Sequence, residues 1–380
     1  MSLLKHLRGR QGVSMIALAV LMPLAVAVYC WDNRAEQAPV STRPAMKGLP
    51  IPDGRLGQVL AVDISRDGKT FACISDQGMI LIWDALQWRV KKAWLNRSVD
   101  LGVLALSPDG RIAVTENADA GVLQFWDTDT GKLLWTMPDQ PQSMAFSPDS
   151  QRLAVEGYYG SLAVWDVANH RQIWNIQAFS VGTQSWHSVL FSHDNKWVVS
   201  TGGLPGDSSA ALWDARTGKC FRIFKDQYGP FGHIALSPDN RLLATEGENP
   251  RWKPPTQGPF TEATNAHSLV VKIWNTRTGR VMRTLPGGWN TSGGTYAMYF
   301  THAGRQLICC HENTIDIWNV ASGKRLHHYD CWVKPELIPV GPSVLFPDEH
   351  RLIGRNGKGD SLCVWDLRTG KVIRRIMTWR

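Results

Sequence analysis

The sequence predicts an all-β chain: a closed ring of seven four-stranded antiparallel sheets, preceded by an N-terminal hydrophobic helix. Three observations predict it. A Trp-Asp or Trp-Asn pair recurs seven times, a tight-turn motif precedes each copy, and a Gly turn follows most of them. The 380 residues include 18 Trp, too many for surface decoration, so Trp holds a recurring structural post.

The first 31 residues read as a signal or membrane anchor. Residues 13–30, VSMIALAVLMPLAVAVYC, carry no charge and lie between KHLRGR and WDNRAEQ. At 1.5 Å per residue they reach roughly 27 Å, enough for a thin bilayer. Pro23 followed by Ala25-Val26-Ala27 also fits a cleavage site. Lys5, Arg8 and Arg10 keep that end in the cytoplasm, which places everything after Cys30 on the extracytoplasmic side. The product is membrane-anchored, or secreted or periplasmic if the segment is cleaved. Tyr29 before Cys30 argues against a lipoprotein. Residues 32–56 are rich in Pro, Gly and charge without apolar periodicity and read as a flexible linker.

The repeats fill residues 57–380. IWD at 82, FWD at 125, VWD at 164, LWD at 212, IWN at 273, IWN at 317 and VWD at 364 are separated by 43, 39, 48, 61, 44 and 47 residues. That is the length of a four-stranded unit, with one long outlier. In step with them run DISRDGK, ALSPDGR, AFSPDSQR, LFSHDNK, ALSPDNR, YFTHAGR and LFPDEHR. Pro fixes one backbone angle of such a turn, Asp bonds locally and Gly accepts positive φ. Runs such as RIAVTE and LQFWD alternate with the strand period. DTDTGK, DARTGK, NTRTGR, NVASGK and DLRTGK then lead into another alternating strand. Each unit is therefore four strands, a to d: a ends at the Ser-Pro-Asp turn, b follows it, c carries the Trp and d follows the Gly. One such sheet cannot bury both faces, so its neighbours must stack on it, and radial stacking solves this for all seven at once.

This pattern resembles the WD-repeat (tryptophan-aspartate repeat) family and implies a seven-bladed β-propeller over residues 57–380. The repeat Trp, namely Trp83, Trp126, Trp165, Trp213, Trp274, Trp318 and Trp365, are then structural and pack between blades. The family's Gly-His pair before strand a is missing from most copies, and His233 in Phe231-Gly232-His233 stands too close to its strand. The family's buried His, Ser/Thr and Asp network is therefore not expected in each blade, a divergence that resembles bacterial members. The last blade is expected to come wholly from the C-terminal repeat, without a clasping strand from residues 40–56.

The sequence holds no phosphate loop, paired metal-ligand Cys motif or His-Glu-x-x-His, so neither catalysis, a cofactor nor a metal is expected. His267, His311 and Glu312 fall in expected b-c loops, where solvated side chains are the plain reading. Net charge is +8 without a basic block outside the N-terminus, which argues against nucleic acid. Seven Cys show no disulfide framework, and most are expected buried and unpaired, with Cys309 and Cys310 on opposite sheet faces. A basic residue follows each a-b turn, from Lys69 and Arg111 round to Arg351, but Asp in six of the seven turns opposes the charge.

Aromatics outside the repeat point to function. Trp186, Trp289 and Trp332 fall in d-a loops, while Trp252 and Tyr158-Tyr159 fall in b-c loops, and these two loop sets share one face. The longest loop adds Arg251, Lys253 and Phe260. Such large amphipathic side chains suit a recognition surface. The expected function is a non-catalytic, monomeric interaction scaffold held at a membrane, binding a protein or peptide through this face. The alternative is a propeller enzyme, or a sugar- or cofactor-binding protein, using the mouth of the channel.

Overall fold

The structure is a computed structural model. It describes residues 58–96, 103–157, 160–179, 188–202, 208–226, 232–248, 269–285, 295–311, 314–330, 339–356 and 361–378. The expected anchor, linker and clasp region therefore lie outside the described residues. Among the described residues no helix is long and apolar enough to cross a membrane.

The described chain forms seven four-stranded antiparallel sheets, each built from four strands consecutive in sequence. Blade 1 comprises β1 (Val59–Ile64), β2 (Thr70–Ser75), β3 (Met79–Asp84) and β4 (Arg89–Leu95). Blade 2 comprises β5 (Leu104–Leu106), β6 (Ile112–Asn117), β7 (Val122–Asp127) and β8 (Leu133–Pro138). Blade 3 holds β9 (Pro141–Phe146), β10 (Arg152–Gly157), β11 (Ser161–Asp166) and β12 (Arg171–Gln177). Blade 4 holds β13 (Val189–Phe191), β14 (Trp197–Gly202), β15 (Ser208–Asp214) and β16 (Cys220–Asp226). Blade 5 has β17 (Ile234–Leu236), β18 (Leu242–Glu248), β19 (Leu269–Asn275) and β20 (Val281–Leu285). Blade 6 has β21 (Thr295–Thr301), β22 (Gln306–His311), β23 (Thr314–Asn319) and β24 (Arg325–Asp330). Blade 7 has β25 (Pro339–Leu345), β26 (Arg351–Asn356), β27 (Ser361–Asp366) and β28 (Lys371–Thr378). This is the seven-bladed β-propeller expected from the repeats, with the a-b-c-d order as read.

Each of the seven seams between blades has its own buried apolar cluster. The repeat Trp of every blade packs in the seam with the preceding blade, as Trp126 does against Ile74, Ile80 and Ile82 of blade 1. All seven are buried. In each blade the pairing of strands c and d shifts register next to this Trp. The bulge lets the strand carry a bulky ring and still enter the Gly turn. The Asp or Asn after the Trp then caps that turn: Asp127 accepts from Thr130 N at 2.7 Å and from Thr130 Oγ1 at 2.6 Å. These bonds hold the Asp127 carboxyl below its usual range.

The ring closes by packing of blade 7 on blade 1. Trp83, Phe71 and Leu81 meet Ile353, Leu362 and Val364 in one cluster. All four described strands of the last blade come from the C-terminal repeat.

Hydrogen bonds link blade to blade at three radii. At the inner strands, Leu106 N donates to Asp63 Oδ2 at 2.8 Å, Val189 N to Ser143 Oγ at 3.1 Å, and Tyr299 Oη to Ser343 O at 2.5 Å. At the a-b turns, a side chain at the left-handed position reaches back to the preceding turn. Asn240, at φ 61°, accepts from His193 N at 3.0 Å, and Glu349, at φ 60°, accepts from His302 N at 2.7 Å. That bond offsets the conformational cost Gly would avoid at this position.

At the outer rim, each strand d holds the following blade at or beside its c-d turn. Trp174 Nε1 donates to Ala215 O at 3.1 Å, Arg222 Nη2 to Arg277 O at 2.8 Å and Tyr329 Oη to Leu367 O at 2.7 Å. Arg283 reaches Ser322 O at 3.1 Å, and Lys91 pairs with Asp129 at 3.1 Å. Trp135 stacks on His170 with centroids 4.0 Å apart, and the Arg374 guanidinium lies 5.4 Å from the Trp88 ring. Trp at these outer posts was not singled out from the sequence, because it occupies them in only some blades.

Cys73, Cys309, Cys310 and Cys363 are buried and none of them forms a disulfide, while Cys220 is exposed. Cys309 packs between blades 5 and 6 and Cys310 between blades 6 and 7, on opposite faces as expected.

Candidate functional site

Strands b and d end, and strands c and a begin, on one face of the ring. All nine residues expected to bind a partner fall in sequence between these ends. Tyr158 and Tyr159 follow β10, Trp186 follows β12, and Arg251, Trp252, Lys253 and Phe260 follow β18; Trp289 follows β20 and Trp332 follows β24. All nine lie outside the described residues, as do His267 and Glu312.

The described strand ends beneath this face carry a belt of buried ionisable groups. Glu116, Glu156 and Glu246 occupy the same position of strand b in blades 2, 3 and 5, and all are buried. Each pairs across the sheet with a residue packed toward the following blade: Leu123, Leu162 and Val271. None of the three is without a partner. The sequence signal was present in TEN, VEG and TEG, a carboxylate recurring at one offset in an otherwise apolar strand. It went unread because the strand alternation alone accounted for those segments.

The seam between blades 5 and 6 is the richest. Glu246 faces it from β18 and Asp316 from β23, where Asp316 pairs with Cys309. Asp316 is fully buried; its Oδ1 lies 2.8 Å from His328 Nδ1 and 3.3 Å from Arg325 Nη1. Its Oδ2 stands 4.0 Å from His311 Nε2. His311 corrects the sequence reading: it ends strand β22 and is buried, not solvated in a loop. The apolar run LICCH extends the strand one residue beyond the expected loop boundary. Burial, with the His328 charge, pushes the His311 imidazole down to about 3, so it is neutral. Burial raises the Cys309 thiol well above its ordinary value, and Asp316 and Glu246 add to the rise. The two carboxylates therefore act on one buried volume. Because Asp316 is met by an imidazole and a guanidinium, it serves as an internal ion cluster.

In three other seams the repeat Trp is held by a hydroxyl of strand b. Trp126, Trp213 and Trp274 donate Nε1 to Thr115, Ser200 and Thr245 at 2.9, 2.9 and 2.8 Å. The same position of strand b is Cys73 in blade 1, Val155 in blade 3, Cys309 in blade 6 and Gly354 in blade 7. In blade 3 the Trp165 indole turns to Asp139 at 3.3 Å. Burial pushes the Asp139 carboxyl up.

On the opposite face, a cavity of about 420 Å³ opens into the channel between the inner strands of blades 4 to 7. Leu190, Ile234, Met298 and Leu345 wall it, and His193 and Glu349 stand in its lining. Burial lowers the His193 imidazole, and Arg66 adds to the effect. A second cavity of about 180 Å³ lies between blades 6 and 7, beside His302, His327, His350 and Glu349. Among the described residues no group of three His, Cys, Asp or Glu is placed to hold a metal ion. The basic residues after the a-b turns are largely neutralised: Lys69, Lys196, Arg241 and Arg351 each pair with the Asp of their own turn.

Comparison with known proteins agrees with this architecture. Residues 52–84 match the family model "WD domain, G-beta repeat". The chain is 24% identical over 271 residues to periodic tryptophan protein 2 homolog of Dictyostelium discoideum, covering 69% of this chain and 26% of that protein. It is 27% identical over 184 residues to WD repeat-containing protein SL1-17 of Schistosoma mansoni, covering 47% of this chain and 58% of the relative. The chain thus spans only part of these relatives' length, and both are eukaryotic, which lends no support to a bacterial-type affinity. Among solved structures, a chain of Kuenenia stuttgartiensis hydrazine synthase superposes with a TM-score of 0.66 at 18% identity, covering 84% of this chain and 98% of that one. That likeness concerns the fold alone. In sequence and in fold, the protein is similar to WD-repeat propellers.

Proposed function

We propose that the protein is a non-catalytic interaction scaffold, tethered to a membrane by its N-terminal segment, that binds a protein or peptide through the b-c and d-a loops. It would be a divergent WD-repeat member of bacterial type. The observation that carries this reading is a division of labour. The repeating residues are spent on turns, seams and staples, and the non-repeating aromatics fall in sequence at one face. The WD-repeat relatives support the scaffold reading as likenesses. The channel cavity does not favour the enzymatic alternative: of its ionisable lining groups, Glu349 already accepts the His302 backbone N–H. The long segment between β18 and β19, with Arg251, Trp252, Lys253 and Phe260, supplies the centre of the proposed site.

The experiment is to replace residues 250–266 with a short Gly-Ser link. The partner is identified beforehand by crosslinking in intact membranes. The variant should unfold at nearly the same temperature as the parent and lose that partner. Retained affinity in the folded variant would remove this loop from the site. Labelling of engineered surface Cys from the cytoplasmic side only would overturn the proposed topology.

A further inference from the structure

We propose that the crevice between blades 6 and 7 binds a small apolar carboxylate, a single ring or short branched chain bearing one carboxyl group. The site lies on the face opposite the b-c and d-a loops and is independent of the scaffold reading.

The crevice exists because one blade departs from a rule the other six keep. Opposite the residue before each repeat Trp, strand d carries one post, and the register places Lys92, Trp135, Trp174, Arg222, Arg283, His327 and Arg374 there. Six of the seven are large and cover the following blade at or beside its c-d turn. Lys92 lies against Gly131, Trp135 stacks on His170, and Arg374 lies over Trp88. Trp174, Arg222 and Arg283 donate to the carbonyls of Ala215, Arg277 and Ser322. His327 is the exception. Its smaller ring lies parallel to that of Tyr329, and Tyr329 Oη takes over the bond to blade 7, at 2.7 Å from Leu367 O. The space that Trp or Arg fills elsewhere stays open as the cavity of about 180 Å³.

The neighbouring turn is bent into the same space. In the a-b turn of blade 6, His302, Ala303 and Gly304 take φ of 51°, 56° and 85°, three left-handed residues in succession, where every other a-b turn has one. That conformation is costly for His and Ala and persists only where the surroundings enforce it. Glu349 enforces it here: its Oε2 accepts from His302 N at 2.7 Å and lies 3.4 Å from His302 Nδ1. The His302 ring is thereby held 5.8 Å from that of His350, and both line the crevice.

The lining selects the ligand. Ile308, Ile317 and Leu367 are buried and give the crevice an apolar side, against which phosphate oxygens would lose their hydration without a partner. The side-chain polar ends of Gln306, His327 and His350 have no hydrogen-bond partner among the described residues. Arg368 uses Nε and Nη2 on Asp366, which leaves Nη1 free. The acidic group of the lining, Glu349, is already engaged by His302. A carboxylate with an apolar body uses both halves: its oxygens accept from Arg368 Nη1 and the polar ends, and its body covers the apolar side. The volume lies below the roughly 300 Å³ at which sites for drug-sized ligands begin, so the occupant is small.

The test uses the full chain in detergent with isotope-labelled histidine rings, read by NMR, and benzoate as the probe. Each ring signal is assigned from its His→Gln variant. Benzoate should shift the signals of His302, His327 and His350 saturably, with a dissociation constant on the order of 1 mM. It should bind at least about fivefold tighter than benzyl alcohol, which lacks the charge, or inorganic phosphate, which lacks the apolar body. Arg368→Gln should weaken binding at least about fivefold. His327→Trp installs the side chain that blades 2 and 3 carry at this post; it should close the crevice and abolish the shifts of His302 and His350 without lowering the unfolding temperature. Arg368 is exposed, so its variant decides the matter even if the Trp variant does not fold. The proposal is overturned if no saturable shift appears up to about 20 mM benzoate, or if either comparison probe binds as tightly. Unchanged affinity in Arg368→Gln or in folded His327→Trp also overturns it, as do shifts confined to His193 in the channel cavity.

Discussion

The seam that closes the ring and the seam between blades 5 and 6 are built to one plan with opposite chemistry. Between blades 7 and 1 a buried apolar cluster runs from Trp83 and Phe71 to Ile376. Arg355, at the position where other blades place a glutamate, sits at the margin and donates to Gln58 at 3.1 Å. Between blades 5 and 6 the same radius holds Glu246, Asp316 and His311. Among the described residues the closing seam has no covalent link, and it draws its cohesion from apolar burial, which is non-directional and strong. The ionic seam gains little net stability from its charges, since desolvation offsets their attraction, but it tolerates few alternative packings. It also lies beside the longest b-c connection of the chain. Apolar cohesion and buried charge are thus assigned to different seams.

The closing seam is where the largest effect is expected. Trp83→Ala removes a fully buried indole from the interface that holds first and last blades together. The cost should be about 3 to 5 kcal/mol in urea unfolding. A loss below about 1 kcal/mol would show that ring closure does not depend on this packing.

The ionic seam should break differently. Asp316→Ala leaves the partly exposed Arg325 and His328 without their carboxylate and opens a buried gap; a loss of about 2 to 4 kcal/mol is expected. Asp316→Leu should recover part of it, because an apolar replacement fills the volume. His311 adds a pH signature. Its folded value is near 3 against an ordinary value near 6.5, so the unfolded chain takes up the proton first. Its stability contribution is complete above about pH 6.5 and is lost as pH falls, by about 1.4 kcal/mol per unit. His311→Gln should flatten that acid limb in unfolding curves taken between about pH 7 and pH 5, whereas an unchanged limb would place the titration elsewhere.

The two seams also differ in how far the sequence discloses them. Blade number, strand order, the Trp posts and the C-terminal origin of the last blade follow from spacing and alternation, which depend on the backbone and repeat seven times. The closing seam is apolar at nearly every alternate position, so its role could be read directly. The ionic seam could not. Asp316 in TIDIWN and Glu246 in TEGE look like surface residues in a half-exposed strand, and only the stacking of a neighbour makes them buried. Arg325 and His328 meet Asp316 from the adjacent strand in a register shifted by the bulge at Trp318. The outer staples share that difficulty, since Trp, Arg, Lys and Tyr are interchangeable there.

A carboxylate outside both seams sharpens the contrast. Asp63 stands on the inner strand of blade 1 and accepts the Leu106 and Ile64 backbone N–H groups, each at 2.8 Å. Burial nevertheless outweighs those bonds and pushes its carboxyl up to about 6. The folded protein therefore holds this proton more tightly than the unfolded chain. The contribution is present below about pH 4 and lost as pH rises through 6, opposite in sign to that of His311. Asp63→Asn keeps an acceptor for Leu106 N and removes the charge. It should raise stability at neutral pH by about 1 to 2 kcal/mol and leave it nearly unchanged at about pH 4. Destabilisation at neutral pH would show that the ionised carboxylate contributes more to the fold than its burial costs.

The smallest effect concerns the height at which both compared seams place a thiol. Cys73 and Cys309 stand where Thr115, Ser200 and Thr245 accept an indole N–H in the seams before blades 2, 4 and 5. Burial pushes the Cys73 thiol up to about 12, so it stays neutral beside Trp83 and packs as an apolar group. A hydroxyl seam should therefore lose a hydrogen bond where a thiol seam loses only volume. Ser200→Ala deletes little volume but leaves the buried Trp213 Nε1–H without its acceptor at 2.9 Å, for about 1 kcal/mol. Trp213→Phe removes the donor as well, so adding Ser200→Ala to it should cost almost nothing further. The coupling between the two substitutions measures the bond free of packing differences. A coupling near zero would mean that the indole in these seams is held by its shape alone, and that hydroxyl and thiol seams are equivalent.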